Sequence, residues 1–210
     1  MTTVRIDRVP ASDAADPALG AAGIAELIAV AFEALPVSAW LVPDPAARVT
    51  VLTYDFQLLA EYALEHGQVH VTSEGAAVAL WLPDDAPPPE PAEYDARLLA
   101  ATGEWVDRFR ALHELFESHH PPEPHHHLAF LAVHPDRQGT GLGTALLSHH
   151  HRNLDAMGLP AYVEASSPGS RALYARHGYR ELGEPFKIPT GAPFWPMWRP
   201  PAGAQALPTG

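Results

Sequence analysis

The sequence predicts an α/β (α+β) fold: a mixed central sheet of about six to seven strands, flanked by helices, with an extra helix inserted between the third and fourth strands. Three observations predict it. Strand-like and helix-like stretches follow one another in the order β-α-α-β-β, an added helix, then β-α-β-α-β-β. Leu128 to Met157 reads as a short apolar strand, a glycine-rich loop and an amphipathic helix. The 210 residues, 47% of them hydrophobic, suffice for one well-buried core and are short for two. We therefore expect a single domain over 1–199, followed by a disordered tail over 200–210.

The elements follow from local pattern. Val4 to Val9 alternates apolar and charged residues, as a half-exposed strand does. Ala11 to Gly20 is a loop of small residues, Asp and Pro. Ala21 to Ala34 is helical, with Ile24, Leu27, Ile28, Ala31 and Leu35 on one face. Pro36, Pro43 and Pro45 break the chain around Trp40, and a second helix runs from about Ala46 to Glu65, stopped at His66-Gly67. Gln68 to Ser73 and Ala76 to Leu82 form a hairpin that turns at Glu74-Gly75. After the proline-rich connector Pro83 to Pro91, apolar residues from Leu98 to Phe116 recur at helical steps, predicting one helix from about Ala92 to Ser118. Its Trp105, Phe109 and Phe116 read as core. The strand–loop–helix unit follows, then a strand at Ala161 to Ala165 and a loop at Ser166 to Gly169. A short helix at Ser170 to Arg176 ends at Gly178, and closing strands follow at Tyr179 to Phe186 and Phe194 to Arg199.

Composition excludes several classes. With no cysteine there is no disulfide framework, thiolate nucleophile or thiolate metal site. No stretch approaches the roughly 20 apolar residues that span a bilayer, and no apolar signal core opens the chain, so a cytoplasmic protein without membrane partners is expected. The net charge of −12 argues against nucleic acid. Its distribution says more: residues 1–132 carry 6 Lys/Arg against 20 Asp/Glu, whereas 133–210 carry 7 against 5. The half holding the glycine loop is the part that is not acidic, so Arg137, Arg152, Arg171, Arg176, Arg180 and Lys187 can help attract a polyanion. The 13 histidines include runs at His125 to His127 and His149 to His151. Adjacent helical residues do not face one another, and no His-Glu-x-x-His pattern or cysteine completes a site, so no functional metal is expected.

The glycine loop carries the chemistry. Backbone amides turned toward an anion, next to the unpaired N–H groups of a helix start, make a phosphate site. A P-loop would need Lys and then Ser or Thr after its last glycine, and a dinucleotide fingerprint needs Gly-x-Gly-x-x-Gly. Here Gly139, Gly141 and Gly143 fit neither. Gln138-x-x-Gly141-x-Gly143, after a strand ending Val133-His134-Pro135, instead resembles the acetyl-CoA pyrophosphate loop of the GNAT (GCN5-related) N-acetyltransferases. A second segment, Ser170-Arg-Ala-Leu-Tyr174-Ala-Arg-His-Gly178-Tyr179, resembles that family's Ala-x-x-Leu-Tyr-x-x-x-Gly-Phe. The element order also matches the family's sheet once the inserted helix is set aside. Ala77 to Trp81 before the proline-rich linker, the inserted helix, Pro121-Pro-Glu-Pro124 and Glu164-Ala-Ser-Ser-Pro168 resemble puromycin N-acetyltransferase and its actinobacterial relatives. That subgroup resemblance does not identify the acceptor as puromycin.

The resemblance implies an acetyl-CoA-dependent transferase in which a primary amine, of a small antibiotic-like or metabolite molecule, attacks the thioester directly. Cofactor contacts fall on Leu131, Ala132 and Val133 for the pantetheine arm, on Arg137, Gln138, Gly139, Thr140, Gly141, Leu142, Gly143 and Thr144 for the pyrophosphate, and on Ser167, Ser170 and Tyr174. Ser167 stands where the family often has Asn. Tyr174 is the implied general acid: a phenol of pKa ~10 stays protonated at neutral pH yet can protonate a thiolate whose conjugate acid has pKa ~8.5. Glu164 is the first candidate base, with His134 and His127 as alternatives. Phe32, Trp40, His127 and Glu164 are the candidate acceptor contacts. Family analogy allows a homodimer. The competing readings are a non-catalytic acyl-CoA-binding module on the same fold and an acetyltransferase acting on protein amines.

Overall fold

A computed structural model describes residues 4–13, 20–83 and 94–203. The connector over 84–91, most of the first loop and residues 204–210 of the expected tail lie outside those described.

Eight strands form the sheet: β1 (Ile6–Val9), β2 (Gln68–Thr72), β3 (Ala77–Pro83), β4 (His126–Val133), β5 (Ala161–Ala165), β6 (Arg180–Glu181), β7 (Phe186–Lys187) and β8 (Pro193–Arg199). They are ordered β1-β2-β3-β4-β5-β8-β6, with β7 on β8. Each pairing is antiparallel except β4 with β5. The stretch expected as one strand from Tyr179 to Phe186 is two short ones. Gly183 divides them, because its φ of 78° lies in the left-handed region and breaks the extended run.

Period-2 alternation in β3 assigns the two layers. Val78 and Leu80 join the core beneath α1 (Ala21–Phe32), α3 (Pro45–His66) and α5 (Val106–Glu117). Ala77, Ala79 and Trp81 join the other core, beneath α6 (Leu142–Met157) and α7 (Pro168–Arg176). The hairpin turns where expected, with Gly75 at φ 64°. Gly67 caps α3 where the strand begins; a Cβ there would stand 2.3 Å from the carbonyl oxygen of Trp81, so only glycine fits.

Two helical expectations change. The inserted segment is two helices, α4 (Tyr94–Thr102) and α5, joined by a 3-10 turn at Gly103–Trp105. Gly103 has φ 55°, and Thr102 Oγ1 donates back to the Leu98 carbonyl (2.7 Å). The apolar spacing runs on through the turn, which hides the break from periodicity. Prolines around Trp40 do not merely break the chain: Pro36 starts a short helix, α2 (Pro36–Leu41), since its fixed φ and missing N–H suit a first helical position.

The face that α6 turns to the sheet is not wholly apolar. Leu142, Leu146, Leu147 and Leu154 share it with buried His150 and His151. His150 stacks on Trp81 (ring centroids 4.1 Å, 22°) and its Nε2 lies 3.2 Å from His126 Nδ1. His151 Nε2 lies 3.0 Å from the Tyr179 hydroxyl, and His70 of β2 packs its ring against His149 and His150. Burial drives these imidazoles toward the neutral form: His70 falls to about 4, His150 to about 2 and His151 to about 3. Among the described residues, no group of three acidic or histidine side chains is placed to hold a metal ion.

Candidate active site

The site begins where β4 and β5 separate. They pair only at His126 with Ala161 and His127 with Tyr162, and then diverge. On the other edge of β4 the register with β3 shifts: Leu80 faces Phe130 while Trp81 faces Leu128, leaving Ala129 as an extra residue. A bulge of this kind bends its strand and re-aims side chains. Beyond it the His134 amide donates to the Ala76 carbonyl (2.9 Å). Backbone groups alternate along an antiparallel strand, so those of Ala132 also turn to β3, while those of Leu131 and Val133 turn into the gap. Leu131 and Val133 therefore offer peptide groups to a ligand there, and Ala132 does not.

After β4 the chain makes a 3-10 turn at Pro135–Arg137 and enters the glycine loop. Gly139 has φ 74° and Gly141 φ 90°, and a Cβ at either would meet no atom within 4 Å. The loop thus needs glycine for its conformation, and the space beside it is open. Gly141 is the N-cap of α6 without a side-chain cap, so the first amides of that helix have no internal acceptor. An open cradle edged by free N–H groups fits a diphosphate. The Gln138 side chain donates to the Val133 carbonyl (3.2 Å), and Thr140 Oγ1 donates to the Arg137 carbonyl (2.6 Å), so both brace the loop. Arg137 pairs with Glu74 (2.7 Å). A cavity of about 510 Å³ opens beside the loop, bordered by Arg137, Gln138, Gly141, Gly143, Thr144 and Arg176.

A second cavity, of about 400 Å³, lies between β4, β5 and helices α1, α3 and α5. Phe32, Leu131, Gln138, Ser167, Ser170 and Tyr174 border both, so the two adjoin. Ser167 and Ser170 cap α7 reciprocally, each side chain accepting from the other's amide at 3.1 Å. That cap fixes the helix carrying Tyr174. Tyr174 is 6% exposed, and burial, with the Glu164 carboxylate adding to it, pushes its phenol well above the ordinary value. Glu164, whose side chain is 7% exposed, holds His127 Nε2 at 2.8 Å by Oε2. Burial acts to raise its carboxyl, but His127, Tyr162 and His120 outweigh that and hold it below the usual range. Its Oε1 is buried and has no hydrogen-bond partner among the described residues.

The structure thus brings together Phe32, His127, Glu164 and Tyr174 on the second cavity, and the loop residues on the first. Ala132 and Thr140 border neither. Nor does Trp40, which packs half-buried against the core while its carbonyl accepts from Arg108. Phe109 and Phe116, read as core, also wall the second cavity. Two residues there escaped the sequence reading, His113 and Asp55. The Tyr94 hydroxyl lies 2.9 Å from His113 Nδ1, and burial keeps that ring toward neutral. Asp55 carried a legible signal. It sits three residues after Leu52 and four before Leu59, so a charge interrupts the apolar stripe of α3.

The fold is one that GNAT acetyltransferases share. Residues 118–199 match the family model described as acetyltransferase (GNAT) domain, and the chain carries that domain. Among solved structures, a Corynebacterium glutamicum protein described as "histone acetyltransferase HPA2 and related acetyltransferase" superposes with a TM-score of 0.70, 27% identity and 100% of both chains covered. Arylalkylamine N-acetyltransferase 2 from Aedes aegypti shares the fold at TM-score 0.58 and 14% identity, over 95% of this chain and 99% of its own. A Drosophila melanogaster polyamine N-acetyltransferase does so at 0.58 and 16%, over 94% and 99%. The latter two likenesses concern the fold alone.

Proposed function

We propose that this enzyme transfers an acetyl group from acetyl-CoA to the primary amine of a small molecule, by direct attack within the splayed gap. The single observation that carries this reading is Tyr174, set where a glycine-loop cavity joins a second, aromatic-walled cavity that contains a buried carboxylate. A volume of about 400 Å³ falls within the 300–1,000 Å³ typical of small-molecule sites. The puromycin-like segments of the sequence favour the same acceptor class.

When bound, acetyl-CoA would supply the thioester. The amides of the glycine loop and the first turn of α6 would hold its diphosphate. The peptide groups of Leu131 and Val133 would orient the arm, and an amide there would polarise the carbonyl. The Glu164–His127 pair takes the proton that the incoming ammonium must lose. For an amine of pKa ~10.4 that loss costs ~4.6 kcal/mol at pH 7, and near pKa 8 only ~1.4. As the nitrogen–carbon bond forms and the carbon–sulfur bond breaks, the electron pair goes to sulfur, Tyr174 donates a proton to it, and the second proton leaving the nitrogen restores the phenol. Its raised pKa keeps the phenol protonated until then.

Tyr174→Phe tests the assignment. We expect turnover, read as free thiol released from acetyl-CoA, to fall about 10²–10⁴-fold while CoA affinity stays within a few-fold. Unchanged turnover would remove Tyr174 from the mechanism. Absence of acetyl transfer by the wild type across an amine screen, with CoA still bound, would favour a binding module instead.

A further inference from the structure

Asp55 takes no part in the chemistry just described. It lines the second cavity from α3, together with Phe56, Leu59, Leu112, His113 and Phe116. No hydrogen bond or ion pair reaches its carboxylate among the described residues, and no neighbouring charge acts on it. Burial alone lifts its carboxyl to about 7. His113, which lines the same cavity, is engaged with Tyr94 and is held toward its neutral form by burial. Arg48 of the same helix is committed to the Val42 and Pro43 carbonyls, and Arg108 of α5 to that of Trp40. A carboxylate without a counter-ion in an apolar cavity is costly to the fold, and a helix stripe would be better served there by Leu. The same cavity holds a second carboxylate, Glu164, on the β5 wall.

We propose that Asp55 is a specificity residue that binds a second cationic nitrogen of the acceptor, so that the preferred substrates are amines carrying another basic group beyond an apolar body. The inference rests on the reading of this cavity as the acceptor site. One ammonium is presented at Glu164 and Tyr174, where it is acetylated. The apolar middle of the molecule lies among the phenylalanines, Phe32, Phe56 and Phe130, whose rings meet edge to face at centroid distances of 4.8–6.1 Å. The other ammonium meets Asp55. A charge-assisted hydrogen bond formed in such surroundings is among the stronger polar contacts available to a ligand. The acidic balance of residues 1–132, which supply these helices, draws cations to the same mouth.

The test compares 1,8-diaminooctane with octylamine. Both steady-state acetylation and calorimetric binding to the CoA-saturated protein are measured, for wild type, Asp55→Asn and Asp55→Glu. In the wild type we expect the diamine to have a KM and a Kd on the order of 10- to 100-fold lower than the monoamine, with similar kcat. Asp55→Asn should bring that ratio close to one, and Asp55→Glu should keep most of it. A wild-type ratio near one, or a ratio that survives in Asp55→Asn, overturns the proposal. The binding arm separates the two ideas. Asp55-dependent preference for the diamine without acetylation of either amine would sink the catalytic reading and leave this one standing. Acetylation of both amines at equal KM and Kd would do the reverse.

Discussion

Acid should unfold this protein by way of histidines buried around α6. His70, His150 and His151 are buried between β2, β3 and α6, with folded values of about 4, 2 and 3 against 6.5 in an open chain. Each is depressed, so the unfolded chain binds protons that the folded one refuses. The stability they lend is complete above pH 6.5 and drains away as pH falls from there toward 4 and below. At pH 5, each imidazole costs about 2 kcal/mol relative to neutral solution, or about 6 kcal/mol for the three together. Asp55 acts in the opposite sense. Its raised carboxyl favours the fold as pH falls below 7 and returns about 2 kcal/mol, which leaves a net loss of about 4 kcal/mol. Since domains of this kind are stable by only about 5–15 kcal/mol, that is a large share. Urea unfolding followed by tryptophan fluorescence between pH 8 and pH 5 measures it. His150→Asn should flatten the pH slope by about 1.4 kcal/mol per unit, one proton's worth, whatever it does to stability at pH 8. An unfolding free energy that changes by less than about 1 kcal/mol across that range would refute the argument, because it would mean that these rings titrate alike folded and unfolded.

Two further outcomes follow from the site. Glu164→Gln should reduce kcat about 10²-fold or more for an acceptor of pKa near 10, and distinctly less for one near 8, because proton removal is demanding only for the first. Equal losses, measured as kcat with matched acceptors, would make Glu164 a purely positioning group. Gly141→Ala places a side chain at φ 90°, a conformation that costs on the order of 1–3 kcal/mol outside glycine. Calorimetry should then show CoA binding weakened about tenfold or more, with Tyr174-dependent chemistry intact at saturating cofactor.

Much of this architecture was readable in the chain itself. Helix and strand periods, the glycine pattern from Gly139 to Gly143 and the terminating glycine at Gly178 are local properties, set by backbone sterics and by which side of an element is apolar. They located α1, α3, α6 and β2 to β5, and they marked the glycine loop that precedes α6. What local pattern does not hold is the meeting of distant segments. That Ala129 bulges, that Leu131 and Val133 rather than Ala132 face the gap, and that His127 finds Glu164 at 2.8 Å all depend on pairing between strands far apart in sequence. Trp40 and Phe116 show the same limit. Each is a large apolar residue in an amphipathic setting, and the pattern says only that it is sheltered. Packing alone decides that Trp40 shelters against the core while Phe116 borders a cavity. Asp55 stands between the two kinds of knowledge: its place on the apolar stripe of α3 is written in the sequence, but the emptiness in front of it exists only once the helices have assembled around the sheet.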